Sequence, residues 1–152
     1  MDLGVKQLET DDGPVKYDYL ILAVGAETNF FGQEGTARAS LKLKGLGDGV
    51  QIRNHILRCF ERAMVEKDVD RRRRLLTFIV VGGGPTGVEM AGALSELIHL
   101  VLFKDYPGLE KEDVRVALLE AQDQLLPGFP LALSQSAQRV LERKGVEVGL
   151  AA

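Results

Sequence analysis

Leu76-Thr77-Phe78-Ile79-Val80-Val81-Gly82-Gly83-Gly84-Pro85-Thr86-Gly87 is the stretch that decides the fold. Six largely apolar residues rich in β-branched types read as a strand buried on both faces. It runs directly into a glycine cluster, and a helical pattern follows from about Pro85 to Phe103, with Val88, Ala91, Leu94, Ile98, Val101 and Leu102 on one face. Val114 to Glu120 reads as a second buried strand after a polar loop at 104–113. Ser134 to Lys144 reads as a helix capped by Ser134 and stopped by Gly145. Val146-Glu147-Val148 opens another strand. Strand, helix, strand, helix, strand is the order of an α/β fold: a Rossmann-like, doubly wound parallel sheet in three layers, here expected to be truncated.

Gly82-x-Gly84-x-x-Gly87 has the spacing of a dinucleotide-binding turn. Gly82 allows the sharp exit from the strand. Gly84 lets a pyrophosphate approach the backbone, and Gly87 lets the helix pack closely. Pro85 suits the first helical turn, where no N–H is needed. With Gly83 and Thr86, these residues are the candidate cofactor contacts, and the helix N-terminus offers free N–H groups to a diphosphate. Glu120, at the end of the next strand, is placed to receive the adenosine ribose hydroxyls. It follows the motif by more than the usual ~20 residues, an excess that the loop at 104–113 absorbs. A 2′-phosphate near this carboxylate would meet repulsion of about 4 kcal/mol at ~4 Å. Ala121-Gln122-Asp123 offers no basic partner, so NAD(H) is favoured over NADP(H). A solvated strand end is the other reading of Glu120.

Upstream, Val5 to Glu9 reads as a strand, and Asp11-Asp12-Gly13-Pro14 as a turn. Tyr19-Leu20-Ile21-Leu22-Ala23-Val24 reads as another doubly buried parallel strand, ending at Gly25. Residues 28–47 read as a loop. Asp48 to about Lys67 reads as a helix capped by Asp48, with Ile52, Ile56, Phe60 and Met64 along one stripe. Residues 68–74 read as a charged linker.

The chain has 152 residues, 45% hydrophobic and 27% charged, with a formal net charge of −3. This excludes a disordered chain and a global basic field for nucleic acid. One cysteine cannot form an internal disulfide or supply a zinc cluster, and no metal site is expected. No uninterrupted run of about 18 apolar residues is present, so no membrane span is expected, and a cytoplasmic protein follows by default. His55 and His99 sit apart on helices, and Cys59 reads as a small buried residue. Arg71 to Arg74 beside Asp68 and Asp70 reads as a solvated turn rather than a phosphate site.

Tyr17-Asp18-Tyr19-Leu20-Ile21-Leu22-Ala23-Val24-Gly25, followed by the glycine turn with Val88-Glu89, resembles the flavoprotein superfamily with two dinucleotide domains, the pyridine nucleotide-disulphide oxidoreductases. Three stretches are similar to type II NADH dehydrogenases, the single-subunit NADH:quinone oxidoreductases: Leu43-Lys44-Gly45-Leu46-Gly47-Asp48, Pro85 to Leu94, and Leu119-Glu120-Ala121 with Leu125-Leu126-Pro127. The resemblance implies that residues 1–35 are part of an FAD domain and 36–152 an incomplete NAD(H)-binding domain. It implies that Gly25 and Ala26 touch FAD, that the glycine turn holds NADH, and that Glu89 is catalytic, near the nicotinamide and flavin. A carboxylate favoured by the helix dipole is the other reading of Glu89. The implied reaction is hydride transfer from NADH to flavin and then two electrons to a quinone, carried by the cofactors.

The chain resembles a middle fragment without the first FAD fingerprint or the C-terminal segments that would contact a membrane peripherally. Alone it is expected not to hold FAD or reduce quinone. A homodimer is left open. The alternatives are another flavoprotein NAD(P)H reductase of the same architecture, or a stand-alone NADH-binding module without catalysis.

Overall fold

The computed structural model describes residues 4–25, 27–30 and 32–152. The chain divides into two compact units, Met1–Asp48 and Gly49–Ala152.

In the first unit β1 (Gln7–Thr10) pairs antiparallel with β2 (Gly13–Lys16), in the register Gln7↔Lys16 to Thr10↔Gly13. Gly13 takes φ +108°, and Thr10 Oγ1 donates to its carbonyl at 2.7 Å, which closes the turn. The strand expected over Tyr19–Val24 is not formed: the segment pairs with no other among the described residues, and Tyr19, Ile21 and Val24 are at least nine-tenths exposed. A parallel strand exists only through neighbours on its edges, and no strand among the described residues supplies one. The expected loop at 28–47 contains a short helix, α1 (Glu34–Ala39), with a Glu34–Arg38 pair one turn apart. The helix α2 (Leu46–Val65) begins two residues before Asp48. Asp48 is therefore not the cap. Its carboxylate reaches back to accept the N–H groups of Lys44 and Gly45, each at 2.9 Å, the reciprocal half of a capping box. The Gly45 N–H first, then that of Lys44, holds this carboxyl below its ordinary pKa.

The second unit is built on a three-stranded parallel sheet in the order β3 (Thr77–Val81), β4 (Arg115–Leu119), β5 (Val146–Gly149). The registers Val81↔Leu119 and Leu119↔Gly149 bring the three strand ends level. Between β3 and β4 runs α4 (Pro85–Leu97), continued by a π-helical turn (Ile98–Leu102) and α5 (Phe103–Asp105). Between β4 and β5 runs α6 (Leu131–Arg143). Right-handed crossovers between successive neighbouring strands put α4 and α6 on one face of the sheet. That face buries Phe78, Val116, Leu118 and Val146. The pleat sends Ile79 and Val81 to the other face, where they are more than half exposed. The α/β parallel sheet is as expected; of the three expected layers, the described residues supply two.

Phe60 of α2 is fully buried, stacked on Phe78 at 6.1 Å and packed against Phe103 and Tyr106. The expected linker at 68–74 is instead a helix, α3 (Val69–Leu75), capped by Asp68, whose side chain accepts from Arg71 N at 2.9 Å. Arg72 turns inward to Asp113, Nε to Oδ2 3.2 Å, a charge contact without hydrogen-bond alignment. Ser134 does not cap α6, which begins at Leu131 after Pro130. Ser134 is buried within the helix. Ser95 on α4 donates to the carbonyl of Lys144 at 2.5 Å and satisfies the C-terminal end of α6. The helical stretch Pro85–Asp105 is, by length and composition alone, long and apolar enough to cross a membrane, although Glu89, Glu96 and Lys104 interrupt it. In this fold Ala91, Leu94, Ile98 and Leu102 on it belong to the core against the sheet.

Candidate functional site

Gly82 to Gly87 and Glu120 meet at the C-terminal edge of β3 and β4. Gly82 leaves β3 with φ +103°, a conformation that L side chains resist, and its N–H still donates to Leu119 O at 2.8 Å. The three other glycines of the turn differ in what requires them. A Cβ on Gly87 would lie 1.8 Å from the carbonyl oxygen of Gly82, so the turn itself forbids a side chain there. A Cβ on Gly83 would lie 2.7 Å from Leu125 Cδ2 and 3.0 Å from Glu120 Cβ. A Cβ on Gly84 would meet no protein atom within 4 Å, and Gly84 has ordinary extended backbone, φ −69° and ψ 178°. Neither packing nor conformation asks for glycine at 84.

Pro85 opens α4 and brings no N–H. The N–H groups of Gly84, Thr86 and Gly87 find no backbone acceptor among the described residues, as the first turn of a helix dictates. They and the positive end of the helix dipole face outward beside Gly84.

Glu120 is nearly buried, 9% exposed. Its Oε2 accepts the N–H of Gly83 at 2.6 Å and its Oε1 the N–H of Gln122 at 2.9 Å. It is therefore an organised carboxylate, not a solvated strand end. The residues after it form a latch that the sequence reading passed over. Leu126 N–H donates to Gly83 O at 2.8 Å, and Leu126 adopts φ +53°. Leu126-Pro127-Gly128-Phe129 then closes with Phe129 N–H to Leu126 O at 3.0 Å, with Gly128 at φ +91°, a type II turn. Pro127-Gly128 was the readable signal for that turn; the tie to Gly83 had none.

Glu89 lies one turn into α4 and is exposed. It borders an open groove of about 550 Å³ between α4 and α6, with Val88, Ala93, Phe129, Leu133 and Val140. Gly25 lies in the first unit with φ +71°, next to Lys44 Nζ. Ala26 lies outside the described residues. Among the described residues no group of three metal-ligating side chains occurs. Cys59 is buried, which raises its thiol pKa, and its Sγ lies 3.6 Å from His55 Nε2.

A family model described as pyridine nucleotide-disulphide oxidoreductase matches residues 2–152. The chain is 41% identical over 136 residues to the type II NADH:quinone oxidoreductase Ndh of Mycobacterium tuberculosis, covering 90% of this chain and 29% of that protein. It is 41% identical over 133 residues to the mitochondrial external alternative NAD(P)H-ubiquinone oxidoreductase B1 of Arabidopsis thaliana, covering 87% of this chain and 23% of that protein. Among solved structures it is similar to NDH2 from Plasmodium falciparum in complex with NADH, with a TM-score of 0.79 and 28% identity over 90% of this chain and 28% of that one. The chain thus spans less than a third of the length of these relatives.

Proposed function

Because the chain belongs to the pyridine nucleotide-disulphide oxidoreductase family, we propose that it is the NADH-binding part of an FAD-dependent NADH dehydrogenase that delivers electrons to a quinone. The observation that carries this reading is Gly84: a glycine that no protein atom and no backbone angle requires, at the mouth of a turn with three free N–H groups. A group that comes close to the backbone from outside supplies the missing reason, and a diphosphate is the group those N–H donors suit.

In this reading Gly84, Thr86 and Gly87 bind the pyrophosphate through backbone N–H groups. Glu120 keeps lone pairs beyond those used by Gly83 and Gln122 and takes the adenosine ribose hydroxyls. Its fixed negative charge disfavours a 2′-phosphate and selects NADH. Glu89, exposed on the first turns of α4, lies toward the nicotinamide end. Gly25 and Ala26 belong to the FAD side, as the resemblance implies; the positive φ of Gly25 itself favours glycine there. The bound cofactors supply the hydride donor and its acceptor, and the chain orients them. The quinone acceptor is supported by what the relatives are named for.

The test is Gly84→Ala. Calorimetric titration of the chain should show NADH binding that weakens about tenfold or more in the variant, while the melting temperature falls only by the small amount that alanine costs at a helix N-cap. Equal affinity in the two proteins sinks the reading of the turn.

A further inference from the structure

Gly83 is held from both sides by residues that follow β4. Its N–H is bound by Glu120 Oε2 at 2.6 Å, and its carbonyl by Leu126 N–H at 2.8 Å. Each bond fixes one of the two planar peptide units that meet at Gly83. The Gly83 carbonyl and the Gly84 N–H belong to the same trans peptide unit and point opposite ways. Holding the carbonyl toward Leu126 therefore aims the Gly84 N–H away from it, where it meets no backbone acceptor among the described residues. Leu126 makes its bond from the left-handed region, φ +53°, which a leucine occupies only when its surroundings compel it. It is held there by the type II turn 126–129 and by its side chain, which packs on the core.

We infer that Leu126 is a positioning residue for dinucleotide binding: its backbone N–H, set by a left-handed conformation, presets the Gly83–Gly84 peptide so that the turn is shaped for a pyrophosphate before any ligand arrives. This rests on the reading of the glycine turn given above. It adds that the loop 121–129, which need not touch the nucleotide, sets the affinity for it.

The side chain and the backbone of Leu126 make separable demands, so a pair of variants distinguishes them. Leu126→Gly keeps the N–H, accepts positive φ freely and loses the packed side chain. Leu126→Val keeps an apolar side chain and resists positive φ through its β-branch. Using the full chain, Leu126→Gly should melt at a lower temperature yet bind NADH and ADP-ribose within about twofold of the unmutated affinity. Leu126→Val should bind both about tenfold more weakly. Without ligand, the Gly83 amide should exchange with deuterium faster in Leu126→Val than in Leu126→Gly. If the valine variant does not fold, Leu126→Ala, which resists positive φ less strongly, should show the same ordering against Leu126→Gly. Affinity that follows melting temperature, or that is equal in all variants, overturns the latch. Failure of the unmutated chain to bind either ligand overturns the reading of the turn with it, a result distinct from the other two.

Discussion

Four glycines stand within six residues, and the structure gives each a different cause. Gly82 is required by its φ, Gly83 and Gly87 by atoms that would collide with a side chain, and Gly84 by neither. The spacing of the motif and separate tasks for Gly82, Gly84 and Gly87 were legible in the sequence; the cause at Gly83 was not, because it depends on Glu120 and Leu125 some forty residues downstream. Glu120 shows the same limit. Its place at a strand end could be read from the pattern, but not its two N–H partners. Those partners give it a structural task that survives without ligand. In Glu120→Gln the amide has one oxygen and one NH2, while both carboxylate oxygens now accept from backbone N–H groups. Whichever way the amide is turned, one N–H group faces another and a nearly buried donor is left unpaired, at a cost of about 1–3 kcal/mol. Glu120→Gln should therefore lower the denaturant midpoint of the ligand-free chain. An unchanged midpoint would mean that the carboxylate serves the nucleotide alone.

At the scale of elements, the sheet and its crossover helices were legible because long apolar runs and a 3.6-residue stripe are strong signals. α3 was not, because four arginines carry no apolar stripe. Its N-terminus is held by the Asp68 cap, a local contact, and Arg72 turns inward to Asp113, a contact made across sequence that no local pattern announces. The starts of α2 and α6 were misplaced for one reason: Asp48 and Ser134 were read as first-position caps, whereas one reaches back from the third position and the other is buried inside the helix. The π-helical turn at Ile98–Leu102 was invisible to any helical pattern. It stacks His99 on Phe103 at 5.6 Å and sets His99 beside Gly145. Burial, with a smaller contribution from Lys111, holds the His99 imidazole below its ordinary pKa of 6.5. The unfolded chain therefore takes up a proton at pH values where the folded chain does not. Stability contributed by neutral His99 is complete above about pH 6.5 and is lost as pH falls from there toward the lowered folded value. His99→Gln should remove that part of the acid-side slope in melting temperature. A slope unchanged from pH 7 to 5.5 would show that His99 does not produce it.

At the scale of the molecule, the apolar run Tyr19–Val24 states what those side chains favour, not which strands stand beside them. The same holds for Ile79 and Val81 on the bare face of the sheet. These residues read as core and lie in solvent because the described chain places no element over them. A frame that supplies those elements gives the strongest test of the proposed function. The Mycobacterium tuberculosis relative matches 136 residues of this chain at 41% identity, and the match is 29% of its length. Replacing those residues by the corresponding ones of this chain transfers the glycine turn, Glu120, the Leu126 latch and Glu89 together. If these residues form an NADH site that works toward flavin and quinone, the chimera should load FAD and reduce quinone with NADH. Glu89→Gln in that chimera should slow flavin reduction by NADH while leaving NADH affinity within about twofold. A folded, FAD-loaded chimera that binds NADH without oxidising it would limit this chain to nucleotide binding. One that loads FAD but does not bind NADH would remove the glycine turn from the reaction altogether.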